Sequence, residues 1–130
     1  MTMVASLLEP QEQLELGLRD EAEHCRATGI DFASFPIPDR GVPASLVDAV
    51  ALVRRLAHAI EIGSIVGLHC HAGIGRSGMI AAAVLIALGH TEDRALELVA
   101  AGRGLRIPET PEQGSWVGLA AQHLACRSET

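Results

Sequence analysis

Ser64-Ile-Val-Gly-Leu-His69-Cys70-His-Ala-Gly-Ile-Gly75-Arg76-Ser-Gly78 is the stretch on which the fold turns. Its first part, SIVGLH, is an apolar run of strand length. Cys70 to Gly78 follows as a glycine-rich loop. Met79 to Leu88 is then apolar on every face, and a helix with no polar face is a buried one. A strand, a glycine loop and a buried helix in succession belong to an α/β layer, with the loop at the carboxyl end of the strand, where such folds keep their ligands.

The same alternation extends on both sides. Val4 to Leu8 reads as a buried strand that Glu9-Pro10 converts into a helix start. Two short helices are expected from Pro10 to Thr28, interrupted by Gly17 and stopped by Gly29. Ile30 to Phe35 reads as a second strand, and Pro36 to Pro43, dense in turn residues, as a loop. Leu46, Val50, Val53, Leu56 and Ile60 form one apolar stripe on a helix from Pro43 to Glu61, closed by Gly63. Gly89 ends the buried helix, and Thr91 to Ala101 is amphipathic. Thr110 is placed as the N-cap of a last helix, with Pro111 at its first position and Gln113 three residues after the cap. The expected fold is a single α/β domain over residues 1–130, a mostly parallel sheet flanked by helices.

The Cys70 loop has a definite chemical competence. Five residues separate Cys70 from Arg76. Gly73, Gly75 and Gly78 let the backbone bend and aim several N–H groups inward, and the following helix points its positive end at the same spot. Such a loop wraps a tetrahedral oxyanion, which Arg76 can fork. An ordinary thiol, with a pKa of about 8.5, is about 3% thiolate at pH 7. Helix N-termini and nearby cations bring thiols down to roughly 3.5–7.5. Cys70 is therefore expected to act as an in-line nucleophile beneath a bound phosphate.

These residues resemble the signature of the cysteine-dependent protein-tyrosine phosphatase superfamily: His-Cys, five residues, then Arg-Ser/Thr. Here it reads His69, Cys70, His71-Ala72-Gly73-Ile74-Gly75, Arg76, Ser77, Gly78. The resemblance implies Cys70 as nucleophile, Arg76 as phosphoryl ligand and Ser77 as the hydroxyl that helps the thiolate leave. The backbone from His71 through Ala72, Gly73, Ile74 and Gly75 to Arg76 would be the phosphate cradle. His69 would tune the thiolate through hydrogen bonds, or else be a satisfied buried histidine. The family also needs a general acid on a movable loop about thirty residues upstream. Asp39 lies 31 residues before Cys70, in Phe-Pro-Ile-Pro-Asp-Arg-Gly-Val-Pro, similar to the acid loop of compact dual-specificity phosphatases. Asp31 and Asp48 sit within strand and helix patterns and are weaker choices. An acid that must hold its proton near neutrality implies a bell-shaped, mildly acidic rate profile. A late-loop Gln can place the hydrolytic water in this family, which would involve Gln113; a capping box with Thr110 explains that residue equally.

The resemblance spans Val4 to about Trp116. Compact members of the family carry a further strand pair and a helix ahead of the strand matched here by Val4 to Leu8. Without those elements the Cys70 strand is expected near an open sheet edge.

Composition bounds the partners. Hydrophobic residues make up 48% of the chain and charged residues 20%, enough for one aliphatic core. Aromatics are 2%, which leaves no base-stacking surface, and the net charge of −6 argues against a general polyanion binder, so no nucleic-acid partner is expected. No apolar stretch is long enough for a membrane span. No leader is visible and the three cysteines are unpaired in spacing, so a reducing, cytoplasmic setting is expected. Cys25 and Cys126 read as inert apolar residues, a disulfide from either to Cys70 being the remote alternative. No cofactor is expected, and the six histidines lack ligand spacing, so no metal either. The expected substrate is a phosphorylated protein or small phosphoester. The absence of basic side chains in the cradle disfavours inositol lipids, and a short acid loop favours a shallow site taking phosphoserine and phosphothreonine as well as phosphotyrosine. Two rivals stand beside the phosphatase: a non-catalytic phospho-residue binder, and a rhodanese-like sulfurtransferase, whose loop usually lacks the Arg-Ser at this spacing.

Overall fold

The computed structural model describes residues 2–15, 17, 20–38, 40–70, 75–103 and 110–128. Among these residues three strands, β1 (Thr2–Ser6), β2 (Asp31–Ser34) and β3 (Ile65–His69), pair in parallel in the order β2-β1-β3. Among the described residues six helices join and cover them: α1 (Pro10–Glu15), α2 (Glu21–Ala27), α3 (Leu46–Glu61), α4 (Gly75–Ala87), α5 (Glu92–Arg103) and α6 (Pro111–Ser128). The expected α/β architecture with a parallel sheet is the one observed.

Helix ends follow local chemistry. Ser45 caps α3 by accepting from the Asp48 N–H at 3.2 Å. Helices α3 and α4 stop the same way. Gly63 (φ 95°) and Gly89 (φ 115°) enter the left-handed region that side chains disfavour. The next N–H groups then bond back across the last turn, Ser64 to the Ala59 carbonyl at 2.9 Å and His90 to that of Leu85 at 3.1 Å. Around α4 the core is aliphatic: Met79, Ile80, Ala82, Ala83 and Val84 are buried against Val53, Leu56, Val117 and Ala120.

One expectation needs correction. The Cys70 loop is shorter than nine residues, because α4 already begins at Gly75; Arg76, Ser77 and Gly78 are buried residues of its first turn. Gly75 and Gly78 thus serve a close-packed helix start rather than a bend. Strand β3, an apolar run by sequence, is only partly covered, with Ile65 at 75% exposure. It is an edge strand of the described sheet, as the open-edge expectation holds.

The carboxyl rim of the sheet positions the site. Past the strand ends the ladder continues: the Leu7 N–H bonds to the His69 carbonyl at 3.0 Å, and the Ile37 N–H to the Leu7 carbonyl at 3.1 Å. The chain leaving β2 and the chain leaving β3 therefore emerge on the same rim. They stand two strand spacings apart, about 10 Å.

Candidate active site

Cys70 follows the last residue of β3, and its Sγ lies 3.4 Å from the Ser77 Oγ. That contact puts the sulfur against the first turn of α4, where the helix dipole favours negative charge. Cys70 is partly accessible, as the nucleophile reading requires. Ser77 is 2% exposed, so its hydroxyl is turned inward to the sulfur.

Arg76 occupies the same turn, and its side chain is 2% exposed. Burying a guanidinium is costly unless its donors are met, and here they are. NH1 donates to Glu12 Oε1 at 2.6 Å and to the Ile37 carbonyl at 3.0 Å, and NH2 donates to Glu12 Oε2 at 2.8 Å. The fork meets the carboxylate with both terminal nitrogens, the strongest form of this pair. Arg76 thereby spans the middle strand from the Cys70 turn to the chain leaving β2.

Glu12 was not legible as a site residue, although its placement follows from local rules. It sits in the first turn of α1, which starts right after β1 on the same rim. Its Oε1 also accepts the Glu9 N–H at 3.0 Å, half of a capping box. An acid three residues after Glu9, with Pro10 opening the helix, was the available signal. It gives the helix start, but not the arginine 64 residues away.

His69 faces another acid that the sequence reading missed. Its Nε2 lies 3.0 Å from Glu21 Oε1 and 2.8 Å from Oε2, at the start of α2. Partly exposed and paired with Glu21, it is not a buried core histidine.

Gln113 is fully buried. Its backbone N–H is capped by Thr110 Oγ1 at 3.1 Å, as the capping reading expects. Its side chain does not return to the helix start; Nε2 donates to the Gly41 carbonyl at 3.0 Å, in the loop that carries Asp39. Asp39 itself, and His71, Ala72, Gly73 and Ile74 of the expected cradle, lie outside the described residues. Asp31 lies in β2 and Asp48 in α3, as the reading of those two acids anticipated. Cys25 is buried in α2, consistent with an inert role, and the side chain of Cys126 lies outside the described residues. No helix among the described residues is long and apolar enough to cross a membrane.

Comparisons with known proteins bear on the family and the fold. A family model described as "Polymorphic toxin system, DSP-PTPase phosphatase" matches residues 2–90. A protein tyrosine phosphatase domain-containing protein 1 from Bos taurus is 39% identical over 100 residues, 76% of this chain and 12% of the bovine protein. Its counterpart from Danio rerio is 36% identical over 99 residues, 75% of this chain and 13% of that protein, so the chain spans about an eighth of these relatives. Among solved structures, Tk-PTP in its active form superposes with a TM-score of 0.79 at 27% identity, over 93% of this chain and 78% of that one. Kinase associated phosphatase, with serine replacing its catalytic-site cysteine, gives 0.82 at 19% identity, over 96% and 71%. PTPMT1 in complex with PI(5)P gives 0.81 at 21%, over 98% and 81%. A sulfur held at the start of a buried helix, an arginine locked in the same turn, and a family match over most of the chain lead to one conclusion: the chain belongs to the dual-specificity and protein-tyrosine phosphatase (DSP-PTPase) family.

Proposed function

We propose that this domain hydrolyses phosphoryl monoesters, phosphotyrosine and also phosphoserine and phosphothreonine in proteins, through a cysteinyl-phosphate intermediate. The observation that carries the reading is the placement of the Cys70 sulfur 3.4 Å from the Ser77 hydroxyl, in the turn where the Arg76 guanidinium is locked.

In the first step the Cys70 thiolate attacks phosphorus, the S–P bond forms and the P–O bond to the leaving group breaks. The Asp39 carboxylic acid gives its proton to the departing oxygen. Arg76 and the amides of the loop hold the three equatorial oxygens as charge builds on them. In the second step water attacks phosphorus and yields its proton to the Asp39 carboxylate. The S–P bond breaks, and the Ser77 hydroxyl donates to the leaving thiolate. Inorganic phosphate and the original enzyme result. Glu12 holds the plane of the arginine in place rather than meeting substrate.

The test is turnover of p-nitrophenyl phosphate and of phosphopeptides, with rapid quenching of a radiolabelled phosphopeptide to trap the covalent enzyme. Label on the wild type that is lost in Cys70→Ser is the expected result. Phosphopeptide binding without label or turnover would make the domain a phospho-residue binder. Thiosulfate consumption without phosphatase activity would make it a sulfurtransferase.

A further inference from the structure

We propose that Gln113 is a positioning residue that latches the loop bearing Asp39, rather than a residue that orients the hydrolytic water. The proposal rests on the reading of Asp39 as the general acid.

The loop between β2 and α3 carries Pro36, Pro38 and Pro43, none of which has an N–H to give to a sheet ladder. With those donors missing the segment relies more on its carbonyls, and two of them are gripped by distant side chains. Arg76 donates to the Ile37 carbonyl, two residues before Asp39, at 3.0 Å. Gln113 donates to the Gly41 carbonyl, two residues after it, at 3.0 Å. Between these points the Gly41 N–H closes a turn onto the Pro38 carbonyl at 2.8 Å. Arg40 takes the left-handed region inside that turn, at φ 61°, a conformation that non-glycine residues seldom adopt unless held there.

The anchor itself is firm. Thr110 caps the Gln113 N–H at 3.1 Å and its carbonyl accepts the Gly114 N–H at 3.1 Å, fixing the first turn of α6. Chemistry sets the amide's orientation, because only its NH2 can face a carbonyl. The Oε1 is buried and has no hydrogen-bond partner among the described residues. A glutamine at 0% exposure with half its amide unpaired is a poor choice for stability alone; the donor half serves the loop. A general acid works only within hydrogen-bond reach of the leaving oxygen, and an error of about 1 Å costs on the order of 10²-fold.

Gln113→Met keeps the length and removes the donor. Two readouts decide the matter. The first needs no activity: tryptic cleavage at Arg40–Gly41, mapped by mass spectrometry, should quicken about tenfold, the factor given by about 1.4 kcal/mol of lost hold. The second is leaving-group dependence. Turnover of phenyl phosphate, whose leaving oxygen needs a proton, should fall about tenfold by the same conversion, while dinitrophenyl phosphate, whose leaving group needs none, keeps its rate. Unchanged cleavage at Arg40–Gly41 would overturn the latch. Equal slowing of both substrates with accumulation of the phosphoenzyme would overturn it in favour of water orientation. Should the wild type turn over no phosphoester, the phosphatase reading falls, and the cleavage experiment still decides whether Gln113 holds the loop. If Gln113→Met does not fold, Gln113→Asn, which keeps the amide one methylene short, takes its place with the same two outcomes.

Discussion

The two chains that leave the sheet toward the site are held in different ways. The one leaving β3 is met from close by in sequence: Cys70 follows the strand, and Ser77, in the first turn of α4, meets it seven residues later. The one leaving β2 is held from without, by Arg76 across 39 residues and Gln113 across 72. A nucleophile that must stay ionised under a phosphate gains from the dipole and amides of a helix start, which local sequence specifies. An acid that need only stand at a fixed distance can be hung on a loop, provided distant side chains grip it.

The largest effect should come from the self-contained side. Cys70→Ser should lower turnover by at least on the order of 10⁴-fold while phosphate-site binding survives, measured by steady-state rates and vanadate affinity. A residual rate within tenfold of wild type would dismiss Cys70 as the nucleophile. On the other side, Asp39→Asn should cost about 10²–10³-fold with phenyl phosphate and far less with dinitrophenyl phosphate. Equal losses for the two would remove Asp39 from proton transfer, and the asymmetry between the chains with it.

Glu12 tests the joint between the two sides. Glu12→Ala removes the carboxylate that faces both terminal nitrogens of a guanidinium only 2% exposed. Breaking such a buried pair typically costs about 3–5 kcal/mol. Urea unfolding should show most of that loss, and Glu12→Gln, which keeps an acceptor, should lose less. A stability within about 0.5 kcal/mol of wild type, the usual range for surface changes, would mean that the pair contributes nothing to holding Arg76.

The difference between the sides also marks what could be read in the chain. Strands at Val4–Leu8, Ile30–Phe35 and Ser64–His69 were legible from apolar runs and turn residues, and the helices from spacing and glycine stops; the strand ends lie within two residues of those found, whereas α3 starts three residues later and α4 four residues earlier than read. There the glycines looked like a bend, because a helix start packed against the core and a tight turn call for the same small residues. Cys70, Arg76 and Ser77 were legible because strand, loop and helix are consecutive. Glu12, Glu21 and the target of Gln113 were not, since each depends on which rim the topology brings together. A capping pattern announces that Glu12 and Gln113 begin helices; it is silent about the arginine and the carbonyl they meet.

Gly41 offers the smallest and most selective probe of the externally held chain. A Cβ at that position would stand 3.0 Å from both the Cβ and the carbonyl oxygen of Pro38, tighter than ordinary contact, so the turn must open to admit it. Overpacking of this kind typically costs about 1–3 kcal/mol. Nothing about the Cys70 turn changes in Gly41→Ala, whereas the carbonyl that Gln113 grips is displaced. The variant should therefore form the phosphoenzyme from dinitrophenyl phosphate at the wild-type rate while losing several-fold with phenyl phosphate, by stopped-flow and steady-state assay respectively. A parallel loss with both substrates would mean that the turn and the nucleophile move as one body, and that the independence of the two chains is false.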